Sequence, residues 1–170
     1  MALDYDPLAR LWQEFAELRD TNGMLDSRRG SDVTDAETPR GQTILVVDDE
    51  IDVRALVRDV LSRDGYHVIE TGDPFEARRI AETQPVHLLL TDVVMPIMSG
   101  IDLAKRVESV SPTTKVLLMS GFSTAAAKGS GRPLISKPFR ASDLVNAVRQ
   151  ILDSRSAFRR PGPTSPPAPA

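Results

Sequence analysis

Five polar side chains stand just beyond apolar runs in this chain, and together they suggest a chemistry. The run 44–47 (ILVV) ends in Asp48 and Asp49, the run 87–90 leads through Thr91 to Asp92, the run 115–119 (KVLLM) ends in Ser120, and Leu134-Ile135 lead through Ser136 to Lys137. Singly each is weak: a pair of aspartates is commonly a solvated turn, and Lys-Pro a loop. As a set they are three acids, a hydroxyl and an ammonium. Carboxylates brought close repel one another unless a cation joins them. An all-oxygen donor set with positions left for water suits Mg²⁺. A bound Mg²⁺ would screen the approach of a phosphoryl group to the Asp92 carboxylate, and phosphoryl transfer asks little of a protein beyond positioning and charge neutralisation. Lys137 offers a point positive charge for phosphoryl oxygens. The Ser120 hydroxyl can donate a hydrogen bond to one of them. A nucleophilic aspartate yields an acyl phosphate.

The set works only if one edge of one framework collects all five residues, and the hydrophobic pattern supplies it. The 44–47 run and the short apolar run 87–90 suit buried parallel strands, and 67–71 reads as a shorter, more exposed one. Residues 115–119 and 134–135 read as the fourth and fifth strands. Helical stripes lie between them: Val53, Leu56, Val57, Val60 and Leu61, closing at Gly65; Ala77, Ile80 and Ala81 after Asp73-Pro74; Leu103, Ala104, Val107 and Val110, stopping before Pro112. Ser142 is a candidate cap for a last helix carrying Leu144, Ala147, Val148, Ile151 and Leu152. Alternating strands and helices predict an α/β fold, a doubly wound five-stranded parallel sheet of order 2-1-3-4-5. Such sheets place ligands at the carboxyl ends of their strands, where the five residues fall.

The rest of the chain bounds the reading. Its 170 residues hold one ordinary domain with extensions, and a net charge of -3 gives no composition-level sign of nucleic-acid binding. Without cysteine there is no disulfide, thiol chemistry or zinc–thiolate site. The acidic start MALDYDPLAR has no apolar signal core, and no run approaches a membrane span, so the expectation is a cytoplasmic protein with no membrane partner. Residues 1–23 carry an amphipathic helical pattern (Leu8, Leu11, Trp12, Phe15, Leu18), 24–42 a polar linker, 43–154 the domain, and 155–170 a Pro-rich tail expected to be disordered. The first segment docks on its own domain, pairs with a partner (a homodimer is one form) or frays.

The combination VVDDE, LLLTDVVMPIMSG, VLLMSG and ISKPF resembles the receiver (CheY-like) domain of two-component response regulators, over roughly residues 42–154. The resemblance implies that Asp92 is the phosphoacceptor, that Asp49 ligates Mg²⁺ directly and Asp48 mainly through water, and that the Val94 backbone carbonyl completes the metal site with Asp92. It implies Ser120 as switch hydroxyl, Lys137 as the phosphate-contacting lysine, and a cis peptide before Pro138. It implies as partners a histidine kinase or histidine phosphotransfer protein and a downstream protein target, and an activity limited to self-catalysed phosphotransfer and autodephosphorylation rather than that of an enzyme. Two departures stand out. Receivers usually carry an aromatic residue where Leu134 stands, and the stretch 121–133 is several residues short for a crossover helix. Ala125–Ala127 can form a turn or two before Gly129 and Gly131, which predicts a shortened or mobile fourth helix, weakly protected across 122–131.

Neither flank is large enough for an effector domain, so the expected function is a stand-alone phosphoacceptor of a phosphorelay. The alternatives are a phosphorylation-independent adaptor with a receiver fold, or a receiver fragment of a hybrid histidine kinase. An aspartyl phosphatase of the haloacid dehalogenase type would want a second acid where Val94 stands, and a flavodoxin would place phosphate where Asp48, Asp49 and Glu50 repel it.

Overall fold

A computed structural model of the chain describes residues 41–121 and 125–153. The amphipathic segment 1–23, all but the end of the 24–42 linker, residues 122–124 and the 155–170 tail lie outside the described residues. In chain order the elements are β1 (Thr43–Val47), α1 (Ile51–Arg63), β2 (His67–Thr71), α2 (Pro74–Thr83), β3 (Leu88–Asp92), α3 (Gly100–Val110), β4 (Lys115–Ser120), α4 (Ala125–Gly129), β5 (Leu134–Ser136) and α5 (Ala141–Asp153).

All strand pairs are parallel, in the order β2-β1-β3-β4-β5. Alternation along the central strands divides the core between the two faces of the sheet, as a pleated strand requires. Ile44, Val46, Leu88, Leu90, Leu117 and Met119 join the stripes of α1 and α5 on one face. Leu45, Val47, Leu89, Val116 and Leu118 join those of α2 and α3 on the other. β1 and β3 are therefore buried from both sides and have no polar face, whereas the edge strand β2 is half-buried along most of its length.

The helix ends carry their own chemistry. α1 closes through Gly65, whose φ of 95° a side chain rarely adopts, with the Tyr66 N–H donating to the Leu61 carbonyl at 3.1 Å. The Asp73 carboxylate accepts from the Phe75 N–H (2.8 Å) ahead of Pro74 in α2, and the Ser99 hydroxyl accepts from the Asp102 N–H (3.1 Å) at the start of α3. At the far end of α5 the Lys115 ammonium donates to the carbonyls of Ile151 (2.6 Å) and Leu152 (3.0 Å), fastening that helix to β4.

Two expectations need correction. β3 runs 88–92 rather than 87–90, because Thr91 and Asp92 continue the ladder opposite Leu118 and Met119 although their side chains are polar. His87 precedes the strand, its ring Nδ1 accepting from the Thr43 N–H at 2.9 Å. Ser142 does not cap α5: the helix begins at Ala141, and the Asp143 carboxylate reaches back to accept from the Arg140 N–H at 3.2 Å. The predicted short fourth helix is present as the five residues of α4.

Candidate functional site

β1 and β3 are adjacent, so their carboxyl ends bring Asp48 and Asp92 together at the middle of the sheet edge. Asp48 follows Val47 and is wholly buried, while Asp92 is the last residue of β3 and 7% exposed. Lys137, one residue past β5, reaches back between them. Its Nζ lies 2.7 Å from Asp48 Oδ2 and 2.7 Å from Asp92 Oδ1. The remaining oxygens are also held: Asp48 Oδ1 accepts from the Glu50 N–H at 2.9 Å, and Asp92 Oδ2 accepts from the Val94 N–H at 2.6 Å. One ammonium and two backbone donors thus fix two carboxylates that would otherwise repel.

Electrostatics follow burial. Burial pushes the Asp48 carboxyl above its ordinary value, and Lys137 and the Glu50 N–H oppose that shift without cancelling it. Burial by itself would lower the Lys137 ammonium; the attraction of Asp48, joined by Asp92, outweighs it and holds the group above its ordinary value. Lys137 is therefore a charged lysine at neutral pH, and the site carries a fixed cation.

Ser120 ends β4 beside this cluster. Met119 pairs with Asp92, so Ser120 stands one position further toward the sheet edge, buried, with its carbonyl accepting from the Lys137 N–H at 2.8 Å. The peptide joining Lys137 to Pro138 is cis, as the motif implied. Asp49 is exposed, and its carboxylate has no hydrogen bond or ion pair among the described residues. Of the five polar residues singled out from the sequence, Lys137 joins Asp48 and Asp92 directly, Ser120 is buried at the end of β4, and Asp49 is exposed beside Asp48. Val94 is 63% exposed, so its side chain stands largely in solvent.

Two residues that the pattern did not mark also shape this edge. A Cβ at Gly100 would fall far inside contact distance of the Asp92 carbonyl, so the start of α3 sits directly on the strand that presents the acid. Arg54, on α1, donates from Nη1 to the carbonyls of Asp48 (2.6 Å) and Asp49 (3.2 Å). Both act on backbone, which a search for chemically reactive side chains does not reveal.

Among the described residues no three acidic or histidine side chains form a ready metal cage. The Asp48 and Asp92 carboxylates are drawn to Lys137 instead. The donors still fit Mg²⁺: they are all oxygen, three carboxylates outnumber one ammonium, Asp49 is outward and unpaired among the described residues, and Mg²⁺ takes only one or two carboxylates with waters.

A doubly wound 2-1-3-4-5 sheet with two acids and a lysine at its carboxyl edge defines a flavodoxin-like domain with a charged site at that edge. The particular family follows from comparison. Residues 44–149 match the response regulator receiver domain, and the chain belongs to that family. It is 37% identical over 114 residues to the response regulator receiver protein CpdR of Brucella abortus, covering 64% of this chain and 95% of that one. The structure superimposes on the receiver domain of the hybrid histidine kinase CckA with a TM-score of 0.57 at 35% identity, covering 65% of this chain and 98% of that one. It superimposes on the response regulator TrrA of Thermotoga maritima, solved in complex with Mg(2+)-BeF, with a TM-score of 0.60 at 25% identity, covering 65% and 99%. Some relatives are longer, the matched stretch making up 13% to 25% of their chains. The chain therefore carries a receiver domain of two-component signalling. No described helix is long and apolar enough to cross a membrane.

Proposed function

We propose that the domain accepts a phosphoryl group on Asp92 from a phosphohistidine donor, a histidine kinase or histidine phosphotransfer protein, and passes the signal on by protein contacts or onward phosphotransfer. The observation that carries the reading is the Lys137 ammonium, 2.7 Å from both Asp48 and Asp92, at the carboxyl edge of the sheet. An Asp92 oxygen attacks the phosphorus in line, the P–N bond to the donor imidazole breaks, and the product is an acyl phosphate on Asp92. Lys137 neutralises charge on the transferred group, the Val94 N–H is already directed at the reacting carboxylate, and Ser120 supplies a hydroxyl donor from the next strand.

Asp49 and Asp92, with the Val94 carbonyl and with Asp48 acting through water, would hold Mg²⁺. When bound, the ion neutralises the surplus carboxylate charge and the developing phosphoryl charge. The fold and the acid set support a signalling protein whose chemistry is phosphorylation and its reversal. The complete acid–hydroxyl–lysine set weighs against a phosphorylation-independent adaptor. The likeness to the receiver of CckA favours a second reading, in which this is the receiver part of a hybrid histidine kinase.

Transfer of label from a phosphorylated histidine donor tests the proposal. Label should appear on the wild-type chain, be released by hydroxylamine as an acyl phosphate requires, and be absent from Asp92→Asn. Label on Asp92→Asn, or label resistant to hydroxylamine, contradicts it. Because Val94 is apolar and cannot orient an attacking water, the phosphorylated form should persist longer than seconds at neutral pH. A half-life of seconds contradicts that part.

A further inference from the structure

Of the three acids, two have side chains fastened in place. Asp48 is held by Lys137 and the Glu50 N–H, and Asp92 by Lys137 and the Val94 N–H. Asp49, the acid assigned above as a direct Mg²⁺ ligand, has no such anchor among the described residues, so its direction depends on its backbone. That backbone lies just past the end of β1, where the strand ladder no longer fixes it. The Arg54 guanidinium grips it there. Nη1 donates to the Asp48 carbonyl at 2.6 Å and to the Asp49 carbonyl at 3.2 Å, bridging two successive peptide groups. Arg54 itself is rooted in the first turn of α1, its N–H donating to the Glu50 carbonyl at 3.1 Å. Space for the guanidinium comes from Gly72, beyond β2. A Cβ there would lie 2.9 Å from Nη1 and 3.5 Å from the Asp48 carbonyl oxygen.

We propose that Arg54, seated against Gly72, is a positioning residue for the metal site: it fixes the 48–49 backbone so that the Asp49 carboxylate is presented for Mg²⁺. The inference rests on the Mg²⁺ reading above, and it makes an unusual demand on sign. Arg54 is a cation beside the site of another cation. If it acted only through its charge, removing it would tighten Mg²⁺ binding. If it positions a ligand, removing it weakens Mg²⁺ binding although the charge repulsion falls, as loss of an outer support typically costs about tenfold to a hundredfold in metal affinity.

The test is Mg²⁺ titration of the full chain by isothermal calorimetry, comparing wild type with Arg54→Met, Arg54→Lys, Gly72→Ala and Asp49→Asn. Arg54→Met should bind Mg²⁺ about tenfold more weakly. Arg54→Lys, which keeps the charge but not the two-carbonyl reach, should recover only part of the loss. Gly72→Ala leaves arginine in place but crowds the tip of its flexible side chain, and should weaken binding by a smaller factor in the same direction. Equal or tighter binding by Arg54→Met, with Asp49→Asn still weakened, overturns the positioning role and leaves the metal reading standing. No Mg²⁺ binding by wild type overturns both. Should Arg54→Met lose its folded circular dichroism signal, Gly72→Ala decides: unchanged affinity there overturns the proposal.

Discussion

The middle of the sheet edge and the α4–β5 side are built in opposite ways. At the middle, each fixed element of the site has more than one support: Asp48 and Asp92 share Lys137, each takes a backbone N–H as well, and Gly100 lets α3 close directly onto β3. On the other side α4 is five residues long and β5 three. Leu134 is half-buried against the second core cluster where receivers usually carry an aromatic residue. The connection is tied by buried Ala127 in the second core cluster, by the Leu118 N–H donating to the Pro133 carbonyl at 2.9 Å, and by an ion pair in which Arg132 donates to Glu108 of α3 through Nε at 3.1 Å and Nη2 at 2.5 Å. The contrast indicates that the acid–lysine edge proposed to accept a phosphoryl group and the α4–β5 side are constrained separately. The first is complete in this chain and the second is reduced.

The largest expected effect comes from the shared cation. Lys137→Met leaves wholly buried Asp48 without its counter-ion and should cost about 3 kcal/mol in urea unfolding without Mg²⁺. A loss under ~1 kcal/mol would show that the centre is less interdependent than its bonds imply. Gly100→Ala pushes a methyl against the Asp92 carbonyl and should cost about 2 kcal/mol while slowing phosphorylation, since β3 or α3 must move. On the other side, Arg132→Ala should cost about 1 kcal/mol, the scale of a well-aligned, part-buried pair, and leave the rate of acyl-phosphate formation unchanged. A fall in that rate would break the separation. Smallest of all, Leu134→Tyr should alter neither phosphorylation nor, by more than ~0.5 kcal/mol, stability, because a half-buried side chain at the sheet edge has room to turn outward.

The framework was legible because the polar residues coincide with strand ends and because the apolar stripes of α1, α2 and α3 keep helical spacing. The brevity of α4 was legible in Gly129 and Gly131. Less was legible where polar residues continue an element. Thr91 and Asp92 fall just beyond the apolar run in sequence, yet both are buried ladder residues of β3, since this strand is covered on both faces. At the start of α5 the sequence offers a hydroxyl at Ser142 and an acid at Asp143, and only geometry decides that the acid reaches back. Arg54 and Gly100 were illegible for another reason. Their roles are exerted on carbonyl groups of the backbone, which every residue carries and no pattern marks.

The most direct measurement is intact mass after incubation with a small acyl-phosphate donor, with and without Mg²⁺, for wild type and Asp92→Asn. The account expects one added phosphoryl group on wild type, dependent on Mg²⁺, and none on Asp92→Asn. The absence of an adduct on wild type under every condition, or an adduct that survives the Asp92→Asn substitution, would contradict it.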